Sequence, residues 1–451
     1  MLTYNLDAKN KYYSLYCRIR DDILCGNLQG GQKLPSKRTL ASNLSVSVIT
    51  VQTAYDQLLA EGYIHSKERS GYFVADVTAR PAVAPPQSAE EESEKTFAFN
   101  LVSGAPPAEL FPFSVWARLM RSVLSEEGEH LLSRVPCRGD LSLRREISAY
   151  LYRMRGVHAD PGNIVVGAGA EYLYGIIVQL LGRDKLFAVE NPGYGKIYST
   201  YNLYGARCAF IPVGQDGADI VAAERSSAHI RHLSPSHQFP TGAVMPASAR
   251  ARLISWARDT GAYIVEDDYD SEFRLSGKPL QSMLELCPNR VIYINTFSKS
   301  LAPSMRMGYM ILPPALLSRF LDIFSKSANV VPLFEQKTLA AMIGEGHFER
   351  HINRLKNYYR AVRQEVLAAI GSLPFPSRIG DTGSGLHLTV KFPSAPSDEY
   401  IKQTAAQRGI NIRCLSDYLA VTVDGYEKTA VINYGGLKKG TAAKIAALFG
   451  D

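Results

Sequence analysis

Lys299 stands in the stretch Asn295-Thr-Phe-Ser-Lys-Ser-Leu-Ala-Pro-Ser-Met-Arg-Met-Gly308, directly after the apolar run Val291-Ile-Tyr-Ile294. A lysine delivered by a buried strand into a loop of small residues can form an imine with a carbonyl ligand. Thr296, Ser298 and Arg306 around it supply two hydroxyls and a guanidinium, the groups that hold a phosphate. A second apolar run, Ala262-Tyr-Ile-Val265, ends in Glu266-Asp-Asp-Tyr269. There Asp267 could pair with a protonated pyridine nitrogen, and Tyr269 could reach a phenolic oxygen. A lone Lys299 would suit a solvated loop, and a lone Asp267 a helix cap. Both in order, each closing an apolar strand, match what pyridoxal 5′-phosphate (PLP) requires of a protein.

The elements that must position these residues read as a long α/β alternation after Phe97. Ile164-Val-Val-Gly-Ala-Gly-Ala-Glu171 has the pattern strand, glycine turn, helix, so the backbone N–H groups of Ala170 and Glu171 could cradle phosphate. That loop also suits plain packing of a helix on a strand. Leu186–Glu190 reads as the next strand, and Tyr194 just beyond it is placed to stack on a pyridine ring. Strands alternating with helices imply a mostly parallel sheet with its site at the C-terminal strand ends. The expected fold is therefore a large α/β domain over residues 97–330 and a smaller α+β domain over 331–451.

Residues 1–75 read differently. Leu15, Ile19, Ile23 and Leu24 recur at helical spacing, and Ser36 is a plausible cap for a helix through Leu44. Ser45-Val-Ser47 forms a short turn into a second helix, Val48–Glu61, stopped by Gly62. Tyr63-Ile64 and Tyr72–Val74 flank Ser66–Gly71 as a hairpin. Helix, turn, helix and hairpin make a winged helix-turn-helix. Ser36, Lys37, Arg38, Ser47, Thr50, Gln52, Lys67 and Arg69 put hydrogen-bond donors where such a unit meets phosphates and base edges of double-stranded DNA. The bland alternative is a helical bundle that binds nothing. Residues 76–96, with Pro81, Pro85, Pro86 and Glu90-Glu-Glu-Ser-Glu94, read as an extended acidic linker.

Composition sets the bounds. Of 451 residues 46% are hydrophobic and 21% charged, as in globular proteins, and the formal charge is +7. Residues 1–74 hold nine Lys/Arg against six Asp/Glu, a balance that permits nucleic-acid binding. The six cysteines include no C-x-x-C pair, which argues against zinc and against a disulfide framework. His347 and His351, four apart with no third ligand nearby, read as part of a surface helix. No metal site is expected. No run reaches the ~18 apolar residues of a membrane span, and the N-terminus lacks a secretory pattern. A cytoplasmic, nucleoid-associated protein is the expectation.

Two resemblances extend this reading. Leu34-Pro-Ser-Lys-Arg-Thr-Leu-Ala-Ser-Asn-Leu-Ser-Val-Ser47, with Thr50-Val51, Ala54-Tyr55 and Glu61-Gly-Tyr-Ile64, resembles the GntR family of bacterial DNA-binding domains. One departure is Val48-Ile49, where relatives often carry polar or basic residues. Ser236-His-Gln-Phe-Pro-Thr-Gly242, Glu266-Asp-Asp-Tyr-Asp-Ser-Glu-Phe273 and Thr296–Pro303 resemble the MocR/GabR-type regulators, in which a GntR winged helix precedes a fold-type I aminotransferase-like domain. The resemblance covers nearly the whole chain outside the linker. It implies that Lys299 forms the imine, Asp267 pairs with the pyridine nitrogen, Tyr269 meets the 3′ oxygen, Ser298 and Arg306 hold the phosphate, and Tyr194 stacks on the ring. It also implies a head-to-tail, domain-swapped homodimer. Where relatives grip an α-carboxylate with an arginine, this chain has Val431. Where some relatives have an arginine two residues after the stacking tyrosine, it has Lys196. Arg134 stands where many aminotransferases place a tyrosine. Lys196, Arg134 and Arg413 are thus the candidates for an effector site. The expected function is a PLP-dependent transcriptional regulator that senses PLP itself or an amine, amino acid or dipeptide. The alternative is a working aminotransferase that carries a DNA-binding appendage.

Overall fold

The computed structural model describes residues 10–76, 97–277 and 280–447, together with Tyr4 and Leu6. The expected linker falls almost wholly outside the described residues. The chain forms two compact units, one on each side of the Lys95–Thr96 bond.

The first unit holds α1 (Lys11–Leu24), α2 (Lys37–Asn43), α3 (Val48–Ala60) and the antiparallel hairpin of β1 (Ile64–Lys67) and β2 (Gly71–Val74). Serines start the second and third helices. Ser36 Oγ accepts from the Thr39 N–H and Ser47 Oγ from the Thr50 N–H, each at 3.1 Å, which satisfies amide groups the first turn leaves without partners. Gly62, at φ +77°, ends the third helix in a left-handed conformation that a Cβ would strain. The inward stripes, Leu15, Ile19 and Ile23 on α1 and Val51, Ala54, Tyr55 and Leu58 on α3, close one core with Leu40, Ile64 and Val74.

The second unit begins with β3 (Phe99–Asn100), α4 (Phe113–Glu127) and α5 (Leu141–Arg155). Then β4 (Ile164–Gly167), α6 (Ala170–Leu181), β5 (Leu186–Asn191), α7 (Gly195–Leu203), β6 (Arg207–Gly214), β7 (Gly217–Ala218), α8 (Ile220–Arg225), β8 (Ile230–Leu233), α9 (Ala247–Thr260), β9 (Tyr263–Asp267), α10 (Met283–Leu286), β10 (Val291–Thr296) and β11 (Gly308–Ile311) build the large sheet and its cover. Eight strands lie in the order β4-β11-β10-β9-β8-β5-β6-β7. The run β10-β9-β8-β5-β6 is parallel, and β11 and β7 are antiparallel to their neighbours. Alternation along the strands sorts side chains to two cores. Val165, Val265, Ile292 and Ile294 face α6 and α7, while Ile164, Val166, Ile264 and Tyr293 face the other side. Both faces are covered, so the strands read as continuous apolar runs. The sheet is mostly parallel, as expected.

Next come α11 (Pro314–Phe324), α12 (Leu333–Gly344), α13 (His347–Gly371), β12 (Arg378–Gly380), β13 (His387–Lys391), α14 (Asp398–Gln407), β14 (Ile410–Asn411), β15 (Arg413–Cys414), β16 (Thr429–Asn433) and α15 (Ala442–Ala447). Four of these strands form an antiparallel sheet, β12-β13-β16-β15. One sequence expectation fails on α13. His347 is partly exposed beside Arg118 and Glu345, but His351 is buried, not on a surface face. Its Nε2 lies 2.8 Å from the Ser300 carbonyl and its Nδ1 2.9 Å from Arg354. Four residues advance about 40° beyond a full helical turn, and this offset separates the partly exposed His347 from His351, which bonds the Ser300 carbonyl in the loop that holds Lys299.

Candidate cofactor site and nucleic-acid interface

In the large sheet the C-terminal ends of β4, β5, β8, β9 and β10 gather at one edge, since β4 and β10 are both antiparallel to β11. This edge collects the lysine, the carboxylate and the hydroxyls that the sequence singles out. Asp267 is the last residue of β9 and pairs in register with Ile294; Thr296 ends β10, and Ser298 and Lys299 follow.

Asp267 is buried, and its Oδ2 is fixed from behind. The Tyr174 hydroxyl donates to it at 2.5 Å, and His232 Nε2 lies 3.2 Å away. Tyr201 in turn meets His232 Nδ1 at 2.6 Å. Burial, then the nearby Asp267 charge, pushes the Tyr174 hydroxyl well above its ordinary value, so it stays a donor. Two partners on Oδ2 leave Oδ1 for whatever lies in front. The sequence reading missed Tyr174, His232 and Tyr201. A signal existed for one of them: Arg231 and His232 are two polar residues in a four-residue parallel strand that is buried throughout.

Lys299 keeps part of its surface open to solvent, yet the protein packed around its ammonium lowers its pKa. The nearby Asp270 charge opposes that shift without cancelling it. A lysine so held presents more neutral amine and is the better nucleophile. Its Nζ donates to the Gly104 carbonyl at 3.3 Å. A Cβ on Gly104 would lie 2.6 Å from both Lys299 Nζ and Asn433 Nδ2, so this glycine is what makes room for the amine. Gly104 and Asn433 are further residues that sequence reasoning did not identify.

Arg306, in the left-handed region at φ +44°, brings its guanidinium to the start of α6, where a Cβ on Gly169 would sit 3.4 Å from it. A guanidinium beside a helix N-terminus sets two positive fields side by side. Arg306 makes no ion pair among the described residues. With the free N–H groups at Ala170 and Glu171, this is a cradle for an anion. Tyr194 caps α7, exposed, its ring edge-on to Phe239 at 6.1 Å.

Tyr269 is drawn into a cluster the sequence did not reveal. Its hydroxyl lies 3.2 Å from His237 Nδ1, which lies 2.9 Å from Asp270 Oδ2. Burial, then Asp270, Asp267 and Glu190, raises the Tyr269 hydroxyl well above its usual value. The His237 and His387 rings are 4.4 Å apart, and both Nε2 atoms are buried without a protein partner. His237, Asp270 and His387 place ligand atoms within 4.8 Å of one another. Glu190 has its carboxyl pushed up to about 8 by burial, so it is largely protonated at neutral pH.

The three effector candidates are not brought together. Lys196 is paired with Glu171 at 2.7 Å on the first turn of α6. Arg134 donates to the Lys326 carbonyl. Arg413 pairs in register with Val431, which pairs with Thr389. The row His387–Asn433 is two residues along the same ladder, so Arg413 shares a sheet face with the residue beside Lys299. Its guanidinium rests 6.0 Å from the centre of the Tyr418 ring.

In the first unit Arg38, Ser47, Gln52, Lys67 and Arg69 are exposed, and Thr50 is half-buried at the start of α3. Lys67 Nζ lies over the Phe73 ring at 5.0 Å and Lys37 Nζ over Tyr72 at 5.5 Å. Lys33, absent from the sequence selection, joins them 5.9 Å above Phe73, because its backbone bridges to that hairpin residue.

Comparison with known proteins agrees with both units. Residues 11–74 match the family described as bacterial regulatory proteins, gntR family. The chain is 37% identical to an uncharacterized HTH-type transcriptional regulator, YdeL, of Bacillus subtilis (strain 168), over 89% of this chain and 88% of that one. It is 33% identical to the probable rhizopine catabolism regulatory protein MocR of Rhizobium meliloti, over 97% and 92%. The chain belongs to the MocR-type transcriptional regulators. The greater part of this chain has the fold of an aminotransferase. The α-aminoadipate aminotransferase LysN of Thermus thermophilus superposes with a TM-score of 0.68 at 25% identity, over 78% of this chain and 91% of that one. This MocR-type regulator is therefore a GntR helix-turn-helix, a DNA-binding module, fused to a fold-type I aminotransferase-like domain. Among its described residues no helix is long and apolar enough to cross a membrane.

Proposed function

We propose that this regulator holds PLP covalently on Lys299 and uses the loaded site to govern its affinity for an operator. The observation that carries the reading is Lys299 itself, its amine lowered by burial, at the same strand edge as the anchored Asp267 and the Arg306 cradle. Asp267 would pair with the pyridine nitrogen, Tyr269 would meet the 3′ oxygen and Tyr194 would stack on the ring. Thr296, Ser298, Arg306 and the N–H groups of Ala170 and Glu171 would hold the phosphate. The cofactor supplies an aldehyde carbon that joins an amine. Residues 1–75 bind DNA, 76–96 act as the linker, 97–330 hold the cofactor and 331–451 form the small domain. The effector is PLP itself or an amine that competes with Lys299; of the candidates for its acid end, Arg413 shares a sheet face with Asn433, whereas Lys196 and Arg134 would have to leave Glu171 and the Lys326 carbonyl. Two such chains form a head-to-tail homodimer, which suits paired half-sites.

The test is an absorption spectrum of the purified chain titrated with PLP and then with amines and amino acids, beside operator binding by fluorescence anisotropy. A lysine-linked band that changes with a ligand, together with a change in operator affinity, supports the proposal. No band with PLP overturns it. Steady turnover of an amino acid and an oxoacid would instead favour an aminotransferase with a DNA-binding appendage.

A further inference from the structure

The third helix of the first unit divides its surface sharply. Val51, Ala54, Tyr55 and Leu58 are buried, while Ile49, Gln52, Thr53 and Asp56 form an exposed stripe at the i, i+3, i+4, i+7 spacing of one helical face. Ile49, at the start of that stripe, is 76% exposed, and Val48 beside it is 43% exposed. Neither packs in the core, so their apolar surface has no role within the unit. A lone exposed isoleucine needs no explanation. This pair, however, sits at the N-terminal end of the helix that follows the turn, directly after the Ser47 cap.

The charges around it identify what covers it. Lys37 and Arg38 begin α2, and Lys33, Lys67 and Arg69 cluster on or beside the hairpin with one carboxylate, Glu68, among them, so the balance of charge there is cationic. The stripe itself is not, for Val48–Ala60 contains no lysine or arginine. A cationic rim around a stripe that is apolar and amide at its N-terminal end, with its one carboxylate, Asp56, a turn beyond Gln52, complements a duplex, with phosphates outside and base edges between them. It does not suit a protein partner, which would meet the isolated cations with no apolar ring to exclude water.

Base chemistry then narrows the sequence. Guanine is read chiefly by arginine or lysine, adenine by a bidentate glutamine or asparagine, and thymine by apolar contact with its 5-methyl group. Thr53 offers little to a base, because its hydroxyl donates to the Ile49 carbonyl at 3.0 Å. Ile49 and Gln52 are separated by three residues, a rise of about 4.5 Å, close to the rise of roughly 3.4 Å between base pairs. They can therefore meet the same or adjoining pairs.

We propose that the outward stripe of α3 reads an A·T-rich half-site core, with Gln52 on an adenine and Ile49, supported by Val48, packed on the 5-methyl of a thymine. This concerns which bases are read and stands apart from the cofactor.

The experiment selects operators from random duplexes with the full-length chain, then replaces each core thymine by deoxyuridine, which removes only the methyl. The expected core is A·T-rich, and loss of the contacted methyl weakens binding about three- to fourfold. Ile49→Ala weakens binding to the thymine duplex by a similar factor and no longer distinguishes it from the deoxyuridine duplex. Gln52→Ala relaxes the preference for adenine, and Ile49→Arg shifts selection towards guanine. Both positions are exposed, so these variants keep the fold, which circular dichroism checks. A G·C-rich core, equal binding of thymine and deoxyuridine duplexes by the unaltered chain, or undiminished methyl sensitivity in Ile49→Ala overturns the proposal. So does failure to select any defined sequence.

Discussion

At the scale of single residues the site depends on what stands behind the groups that chemistry would name first. Asp267 is useful because Tyr174 and His232 hold one of its oxygens, and Lys299 because Gly104 leaves space for its amine. Tyr174→Phe should weaken PLP binding about tenfold, the cost of losing one hydrogen bond to a charged acceptor, with the fold unchanged. Titration followed by absorbance reads this. Lys299→Ala should abolish the lysine-linked absorbance band while leaving the dimer and much of the DNA affinity. A variant that fails to fold would make Lys299 structural.

At the scale of elements, α13 carries a second dependence into the site. His351 is buried, and burial presses its pKa to about 4 from an ordinary 6.5, so the folded chain keeps it neutral. The unfolded chain binds this proton as pH falls through 6.5, whereas the folded chain resists until about 4. Stability from the neutral ring is complete above 6.5 and is lost on descent towards 4. Thermal melts between these values should show the slope, and His351→Gln should flatten it. The proton that acid adds goes to Nδ1, which accepts from Arg354, so acid should break that contact while Nε2–H can keep its bond to the Ser300 carbonyl. In the first unit α2 presents Arg38, exposed, on its first turn. Arg38→Ala should weaken binding to every duplex and reduce the slope of log affinity against log salt by about 1, measured by anisotropy.

At the scale of the whole molecule the two units have separate cores, and each residue group proposed here lies within one of them. A chain of residues 97–451 alone should keep its PLP band and lose operator binding. If it keeps operator affinity, the DNA assignment of the first unit is wrong. Any signal between the units is then a coupling free energy, measurable as the ratio of operator affinities with and without PLP.

The amino-acid sequence by itself determined the winged unit and the α/β alternation. It also marked the strand ends bearing Asp267, Thr296 and Lys299, because helix caps, glycine stops and apolar runs are local patterns. Tertiary structure decided what local patterns do not encode. Tyr174 comes from a helix, His232 from a neighbouring strand and Tyr201 from another helix, so their meeting on Asp267 needs the folded sheet. The same holds for His351, whose inward side is set by how α13 packs, and for Arg413, placed across from Val431 only by strand register. Spacing along one chain fixes which residues share an element. Which elements face each other is fixed by burial of their apolar surfaces, and that is a property of the whole fold.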